Sequence, residues 1–342
     1  MTRVQYTNPG TASAKFFICN LPNYPIACAA LHTCLCVTMH VLNAMPPYNL
    51  FGLEAQDYRT AKVAVLPVPY DSTASFRPGS RSGPHAIIEA SRNIELYNEE
   101  FGSDISKIGI YTLEELAPDF GSPEGMVNRI EKEVDVLLND SKLPLMLGGE
   151  HTITIGALKS FSKALGKQGF TVLHMDAHSD SRSEFMGAKM CHACVMARAR
   201  ELCDSTVSAG VRSIDEQSME SYGKGIIFMK DIREAGIKGT IDRIIKASEE
   251  KVYLTVDLDV LDPSEMPSTG TPEPDGLHFR ELVDIIKGVA ARKEIIGMDF
   301  VELMPIPGLE APNYLAAKLI YLSIGSVFSL SGNGESGSGR RR

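Results

Sequence analysis

The stretch FTVLHMDAHSD, residues 170–180, decides how the rest of the chain is read. It opens with the apolar residues Phe170, Val172 and Leu173, and closes with Asp176, His178 and Asp180 at alternate positions. In an extended chain, residues two apart share a face, so two carboxylates and an imidazole converge beyond the end of the strand. Such groups repel one another or titrate unless positive charge lies between them. The simplest carrier of that charge is a metal.

On both sides of this stretch, apolar runs of strand length alternate with helical periodicity. Strands are expected at 62–68, 143–147, 170–175, 206–211, 226–228, 251–258 and 295–301. A turn-rich loop, 69–83, follows the first strand. Pro84, with Ile87, Ala90, Ile94 and Tyr97 at helical spacing, predicts a helix after it. Further helices are expected at 127–138, from about Thr152, near 188–203, and at 237–249, 279–292 and 314–330. Near-continuous apolar strands alternating with helices predict an α/β fold with a largely parallel sheet covered on both faces. There is no internal repeat and no interior linker, which predicts one domain over 51–331, a leader over 1–50 and a flexible Gly/Ser-rich tail over 332–342.

Composition narrows the function classes. With 44% hydrophobic and 23% charged residues among 342, a large core is within reach. The net charge of −9, with basic residues clustered only at Arg340–Arg342, argues against nucleic acid and anionic membranes as partners and suits a small cationic substrate. No run of 18 clean apolar residues suggests a membrane span. The seven cysteines are odd in number and bunched: Cys19, Cys28, Cys34 and Cys36 near the start, and Cys191, Cys194 and Cys203 after the central stretch. Free thiols in a reducing, cytoplasmic compartment are expected.

Residues 1–53 hold no acid and only two basic side chains, Arg3 and Lys15. They lack the Arg-rich amphipathic face of a transit peptide and the basic flank of a signal peptide. Cys28, His32, Cys34, Cys36 and His40 match no familiar zinc spacing. The working fold is expected to begin near Leu50.

The polar residues are telling because they cluster at the C-terminal ends of predicted strands, where open α/β sheets bind ligands. Gly148, Gly149, Glu150 and His151 follow one strand; Asp176, His178 and Asp180 another; Asp257 and Asp259 a third; Glu302 a fourth. Singly, each has a plain reading as a turn, a helix start or a solvated acid. His174 shares the parity of Asp176 but sits deeper, as a packed supporting group. Together, four carboxylates and two imidazoles exceed what one tetrahedral zinc needs, and bridging carboxylates suit two metals about 3.5 Å apart. Oxygen-rich donors favour Mn²⁺ over zinc or copper, with cobalt or nickel as alternatives. Two other motifs contribute less. Cys191 and Cys194 form a C-x-x-C without a second pair or a thioredoxin-like context. The RPGSRSG loop, 77–83, lacks the Lys-Ser/Thr of a phosphate loop.

GGEHT (148–152), DAHSD (176–180) and DLDVLDP (257–263), followed by STGTPEPDGL (268–277) and MDFVELMP (298–305), resemble the ureohydrolases: arginase, agmatinase and their relatives. The similarity runs from about Val63 to about Tyr321. It implies a three-layer α/β/α sandwich with a mostly parallel eight-stranded sheet, two Mn²⁺ per chain, and a homo-trimer or homo-hexamer. By position, one manganese is expected on His151, Asp176, Asp180 and Asp257, and the other on Asp176, His178, Asp257 and Asp259. His192 matches the family's mobile proton-shuttle histidine, Glu302 the acid that pairs with the guanidinium, and Thr271 a residue lining that site. Cys191 and Asp275 stand where the family pattern has Ser and Gly. The segment after Asp180, Ser-Arg-Ser-Glu-Phe-Met, departs from the run with which arginases hold a carboxylate. That departure, with KMCHACVM (189–196), resembles prokaryotic-type agmatinases and implies cleavage of agmatine to putrescine and urea, with Glu184 a candidate partner for the distal cation. Arginine, guanidinobutyrate, a deacetylase-type activity or an inactive metal scaffold are the alternatives.

Overall fold

The computed structural model describes residues 45–329, and the Cys28–His40 cluster, most of the leader and the tail from 332 lie outside the described residues. The described residues from Met45 form one compact unit. Leu50 and Phe51 are buried, and their backbone N–H groups donate to Thr112 Oγ1 and Ser91 Oγ.

In chain order the elements begin with β1 (Val63–Val68), α1 (Gly83–Ser91), the hairpin β2 (Tyr97–Asn98) and β3 (Ser103–Asp104), β4 (Ile110–Thr112) and α2 (Pro123–Asn139). Next come β5 (Leu143–Gly148), α3 (Ile153–Leu165), β6 (Thr171–Met175), α4 (Val195–Leu202), β7 (Ser205–Val211), α5 (Glu216–Tyr222) and β8 (Ile226–Phe228). The chain finishes with α6 (Met229–Ala247), β9 (Lys251–Asp257), α7 (Phe279–Ala290), β10 (Glu294–Val301) and α8 (Ala311–Ser329). Eight strands make one sheet in the order β4-β1-β5-β10-β9-β6-β7-β8, and every pairing in it is parallel.

The two-residue period of the strands explains the layers. Val63 and Val65 of β1, Leu145 and Leu147 of β5, and Leu254 and Val256 of β9 face one core, shared with Ile87 of α1, Ile232 of α6, Leu282 of α7 and Ile320 of α8. Leu66 and Val68, Met146 and Tyr253 face the other, shared with Ile130 of α2, Phe161 of α3 and Met196 of α4. Strands apolar on both faces require a cover on both, and the helices divide accordingly into the three-layer sandwich expected. No helix among the described residues is long and apolar enough to cross a membrane.

Several boundaries differ from the sequence expectation. The helix expected to reach Tyr97 stops at Ser91, and Tyr97 sits exposed in the small hairpin. The helix expected near 188–203 begins at Val195, because Phe185 and Ala188 form a tight antiparallel bridge around Met186 and Gly187, both at positive φ. The helix expected at 237–249 is the second part of α6; Gly236 (φ 69) interrupts helical geometry just before it. Edge strand β4 and helix α5 carried too short a pattern to be anticipated.

At the end of β5 the backbone of Gly149 runs against Tyr70, where an added Cβ would stand 1.9 Å from the Tyr70 carbonyl oxygen. Gly149→Ala is expected to lower stability by about 3 kcal/mol through forced backbone displacement. A denaturant titration with an unchanged midpoint would contradict that requirement.

Candidate active site

Four neighbouring strands deliver the site. In the sheet order β5, β10, β9 and β6 lie side by side, so residues just past their C-terminal ends meet along one rim. Strand β5 leads to His151, β10 to Glu302, β9 to Asp257 and Asp259, and β6 to Asp176, His178 and Asp180. His151 Nδ1 lies 3.1 Å from Asp176 Oδ2, 3.3 Å from Asp180 Oδ2 and 3.4 Å from Asp257 Oδ2. His178 Nδ1 lies 2.9 Å from Asp259 Oδ2 and 3.6 Å from Asp176 Oδ1. Two overlapping groups of candidate metal ligands result, His151/His174/Asp176/Asp180 and Asp176/His178/Asp259, sharing Asp176.

The hydrogen bonds around His151 test whether a cation fits. Asp299, buried on β10, accepts from Thr255 Oγ1 at 2.6 Å, Tyr253 Oη at 2.7 Å and Thr154 Oγ1 at 3.0 Å. The Thr255 hydroxyl hydrogen is therefore committed, so its oxygen accepts from His151 Nε2 at 2.8 Å. That fixes the tautomer. In neutral His151 the other nitrogen, Nδ1, has a lone pair pointed at three carboxylates, and it is buried without a hydrogen-bond partner. A lone pair facing buried carboxylates is repulsive unless a cation lies between them, and metal-ligating imidazoles show this arrangement, with the far nitrogen donating.

The titration behaviour points the same way. Burial works against charging His151, yet Asp176, Asp180 and Asp257 together raise it well above the imidazole range. Burial opposes a charge on His178 too, but Asp259 and Asp176 push it up to about 12. Burial, then the charges of Asp259 and Asp176, raise Asp257 well above the carboxylate range. Burial also opposes ionising Asp176, but His174, His151 and His178 hold it well below that range. His174, the packed group expected from its depth, sits behind Asp176 with Nε2 at 2.7 Å from Oδ2 and Nδ1 at 3.1 Å from Ser208 Oγ.

Backbone strain collects at the same rim. Asp180 (φ 45) and Glu302 (φ 66) are non-glycine residues in the left-handed region. Glu302 is locked in place at both ends, its N–H donating to Gly149 O at 2.7 Å and its Oε1 accepting from His151 N at 2.8 Å. Burial, and then the nearby Glu150 charge, raise Glu302 to about 8.

The cleft above this rim is lined by Asp180, Asp257, Asp259, Thr271 and Glu302 on its floor, and by the 74–77 loop and His192 at its side. Thr271 Oγ1 donates to Asp259 Oδ2 at 3.5 Å. Thr73 gives its hydroxyl and backbone N–H to Glu150, each at 2.7 Å, so Thr73 Oγ1 accepts from His192 Nδ1 at 3.2 Å. His192 Nε2 is left to accept from Ser75 Oγ at 3.3 Å. Glu184 is exposed and does not line the cleft.

Sequence reasoning missed Arg77, Arg182 and Asp215, which do line it. Asp215 caps α5 through Ser218 N and lies 3.8 Å from Arg182 Nε. Its only sequence signal was its place four residues past β7, at the same rim. It missed Arg212 as well. That guanidinium donates to the carbonyls of Asp259 (2.7 Å), Glu273 (2.8 Å) and Pro274 (2.9 Å), among others, pinning the loop that carries Asp259 and Thr271.

A sequence profile of the arginase family matches residues 61–325. The chain belongs to the arginase family. It is 38% identical over 277 residues to an N(1)-aminopropylagmatine ureohydrolase of Thermus thermophilus, covering 81% of this chain and 94% of that protein. It is 31% identical over 285 residues to an agmatinase of Pyrococcus horikoshii, covering 81% and 97%. The solved agmatine ureohydrolase of Thermoplasma volcanium superposes with a TM-score of 0.77 at 33% identity, over 84% of this chain and 97% of that one. In this arginase-family hydrolase the candidate metal ligands lie at or just past the C-terminal ends of β5, β6 and β9, with Glu302 at the end of β10 beside them.

The electrostatics of the site can be tested at two positions. Thr255→Val removes the acceptor of His151 Nε2 while keeping a β-branched shape, and should weaken metal affinity ~10- to 100-fold with the fold intact. A metal titration identical to the parent's would show that Thr255 does not hold the ligand. Because the metal-free site raises His178 to about 12, that imidazole is protonated at pH 7, and metal binding must expel its proton. Calorimetry in buffers of different ionisation enthalpy should register net proton release, and none would contradict the electrostatic reading.

Proposed function

We propose that this arginase-family hydrolase cleaves a guanidino group to urea and an amine at a pair of Mn²⁺ ions, with agmatine, giving putrescine, as its foremost substrate. The observation that carries the reading is the unpartnered Nδ1 of His151 facing three carboxylates, beside a Glu302 locked at the cleft floor. The ligands proposed are His151, Asp176, Asp180 and Asp257 for one ion, and Asp176, His178, Asp257 and Asp259 for the other. Oxygen-rich donors with few imidazoles favour manganese. When bound, the two ions lower the pKa of a water at the site and so supply a nucleophile near neutral pH.

The protein's own groups do the rest. A guanidinium stays protonated at physiological pH and presents a planar fork, which the Glu302 carboxylate matches. A cation against Glu302 also relieves the cost of its burial, which raises it to about 8. Thr271, bonded to Asp259, borders the same position. The Asp180 carboxylate holds the proton of the attacking water. His192, whose Nε2 faces the cleft side while Nδ1 is anchored on Thr73, delivers a proton to the departing amine. Water adds to the guanidinium carbon, the carbon–nitrogen bond to the chain breaks, and urea leaves with the protonated amine.

Distal recognition supports agmatine-type substrates through Asp215, the acid in the cleft wall positioned for a second cation. The names of the similar Thermus and Pyrococcus proteins support the same class. Arg77 and Arg182 in that wall favour a second reading, a substrate ending in a carboxylate such as guanidinobutyrate. A role in polyamine supply, a cytoplasmic location and assembly into a homo-trimer or homo-hexamer complete the proposal.

Urea release measured side by side on agmatine, N(1)-aminopropylagmatine, arginine and guanidinobutyrate after manganese loading tests it, with agmatine or its aminopropyl derivative expected to be fastest. His192→Ala should keep its metal and lose ~10²- to 10⁴-fold in turnover. Full urea release from Glu302→Gln on all four compounds would sink the guanidino reading.

A further inference from the structure

The C-x-x-C of residues 191–194 is absorbed by nothing above, and its geometry is specific. Cys191 precedes the single 3-10 turn His192–Cys194, with Cys194 N donating to Cys191 O at 3.0 Å, and the turn leads directly into α4. The two sulfurs lie 3.3 Å apart, each also directed at the Ala188 carbonyl. Both side chains are buried, whereas His192 and Ala193 between them line the cleft. Cys203, the other described cysteine, is engaged elsewhere, with the Phe170 and Ser205 carbonyls. The Cys191 thiol, donating to Cys194, holds Cys194 below the ordinary thiol range against the opposing effect of burial, with Arg198 adding to it. That same hydrogen bond, and then burial, push Cys191 up. One sulfur is thus biased to act as nucleophile and the other to keep its proton.

We propose that Cys191 and Cys194 form a reversible redox pair that closes to an intrachain disulfide with hydrogen peroxide as oxidant and slows turnover by reshaping the turn that carries His192. In the first step the Cys194 thiolate attacks peroxide, the O–O bond breaks, hydroxide leaves, and Cys194 becomes a sulfenic acid. Cys191 sulfur then displaces the sulfenic hydroxyl, which leaves with the thiol proton as water. The sum is two thiols and one peroxide giving one disulfide and two waters. Bond formation draws the sulfurs from 3.3 Å to about 2.05 Å and disturbs the contacts of both sulfurs with the Ala188 carbonyl. The turn that takes up this contraction is the one that carries His192. That residue's ring is placed by long hydrogen bonds to Thr73 and Ser75 and by an edge contact with Phe185 at 5.9 Å between centroids. Small displacements there separate Nε2 from the position it must hold for proton delivery.

The disulfide stands apart from the catalytic reading; its effect on turnover rests on it. The test uses the full-length, manganese-loaded protein, titrated with hydrogen peroxide, alkylated under denaturing conditions and mapped by peptide mass, with urea release and metal content followed in parallel. The expected result is a peptide linked through Cys191 and Cys194. Urea release should fall on the order of tenfold with metal retained, and dithiothreitol should reverse both changes. Cys191→Ser and Cys194→Ser, each checked for fold by circular dichroism, should give neither the link nor the reversible loss. Peroxide treatment that leaves the two cysteines unlinked, or carries Cys194 only to sulfinic acid, overturns the pair. That result comes from the parent protein alone and does not depend on either variant folding. A link with undiminished urea release overturns the switch. Absence of urea release from untreated protein on every guanidino compound would instead count against the function proposed above, while the mapped disulfide would still decide the pair.

Discussion

Buried negative charge at one rim of the sheet is the constraint from which the rest of the structure follows. Asp176, Asp257 and Asp259 are each at most 4% exposed, and the imidazoles of His151, His174 and His178 lie among them. Carboxylates withdrawn from water are costly unless matched by positive charge. The protein matches them in layers. His174 backs Asp176, and Arg212 grips the backbone carbonyls of Asp259 and Glu273, bringing a guanidinium close without adding a side-chain ion pair to the cluster. What remains unmatched is the space in front of His151 Nδ1. The Thr255–Asp299 relay keeps that nitrogen unprotonated in the neutral ring and aimed there.

The relay shows why the core and the site are not separable. Tyr253, Thr255 and Asp299 are interior strand residues of β9 and β10, buried in the middle of the sheet. An acid at Asp299 is an expensive choice for a core position, and burial raises its pKa. Three hydroxyls satisfy it, and in return it orients one of them to receive the His151 proton. The polar network is complete within itself, which is the condition under which buried polar groups rigidify a core. Glu302 is fixed in the same spirit, its strained backbone tied to Gly149 and its side chain to His151 N.

The wall of the cleft is built differently from its floor. On the floor, Asp257, Asp259 and Glu302 stand at strand ends, while Thr271, His192, Ser75, Arg77, Arg182 and Asp215 come from loops and short turns. Rigid elements therefore hold the reacting centre, and loops hold whatever distinguishes one substrate from another, the usual division in α/β folds. The loop after β1 is itself braced, with the buried Asp71 carboxylate accepting from Gly79 N at 2.8 Å and from Arg81. Gly79 in this loop adopts φ 138, a backbone conformation that favours glycine.

Much of this was readable in one dimension. Alternate-position Asp176, His178 and Asp180 needed only the two-residue period of a strand, and the doubly apolar runs at β1, β5, β6 and β9 needed only the rule that such strands are covered on both faces. The candidate ligands, Glu302 and His192 were legible because motifs preserve local order, and local order is what a sequence records. Elements of few residues, such as β4 and α5, left no such trace. Neither did the Phe185–Ala188 bridge that delays α4. Only the tertiary structure decided that β5, β10, β9 and β6, far apart in the chain, are immediate neighbours, because strand order depends on how helices pack over the sheet rather than on any one segment. It alone placed Asp215 and Arg182 in the cleft and left Glu184 outside it. It alone set the direction of the Thr255 hydroxyl, and with it which nitrogen of His151 faces the acids. Residue types fix what chemistry is available; contacts between distant segments fix where it is aimed.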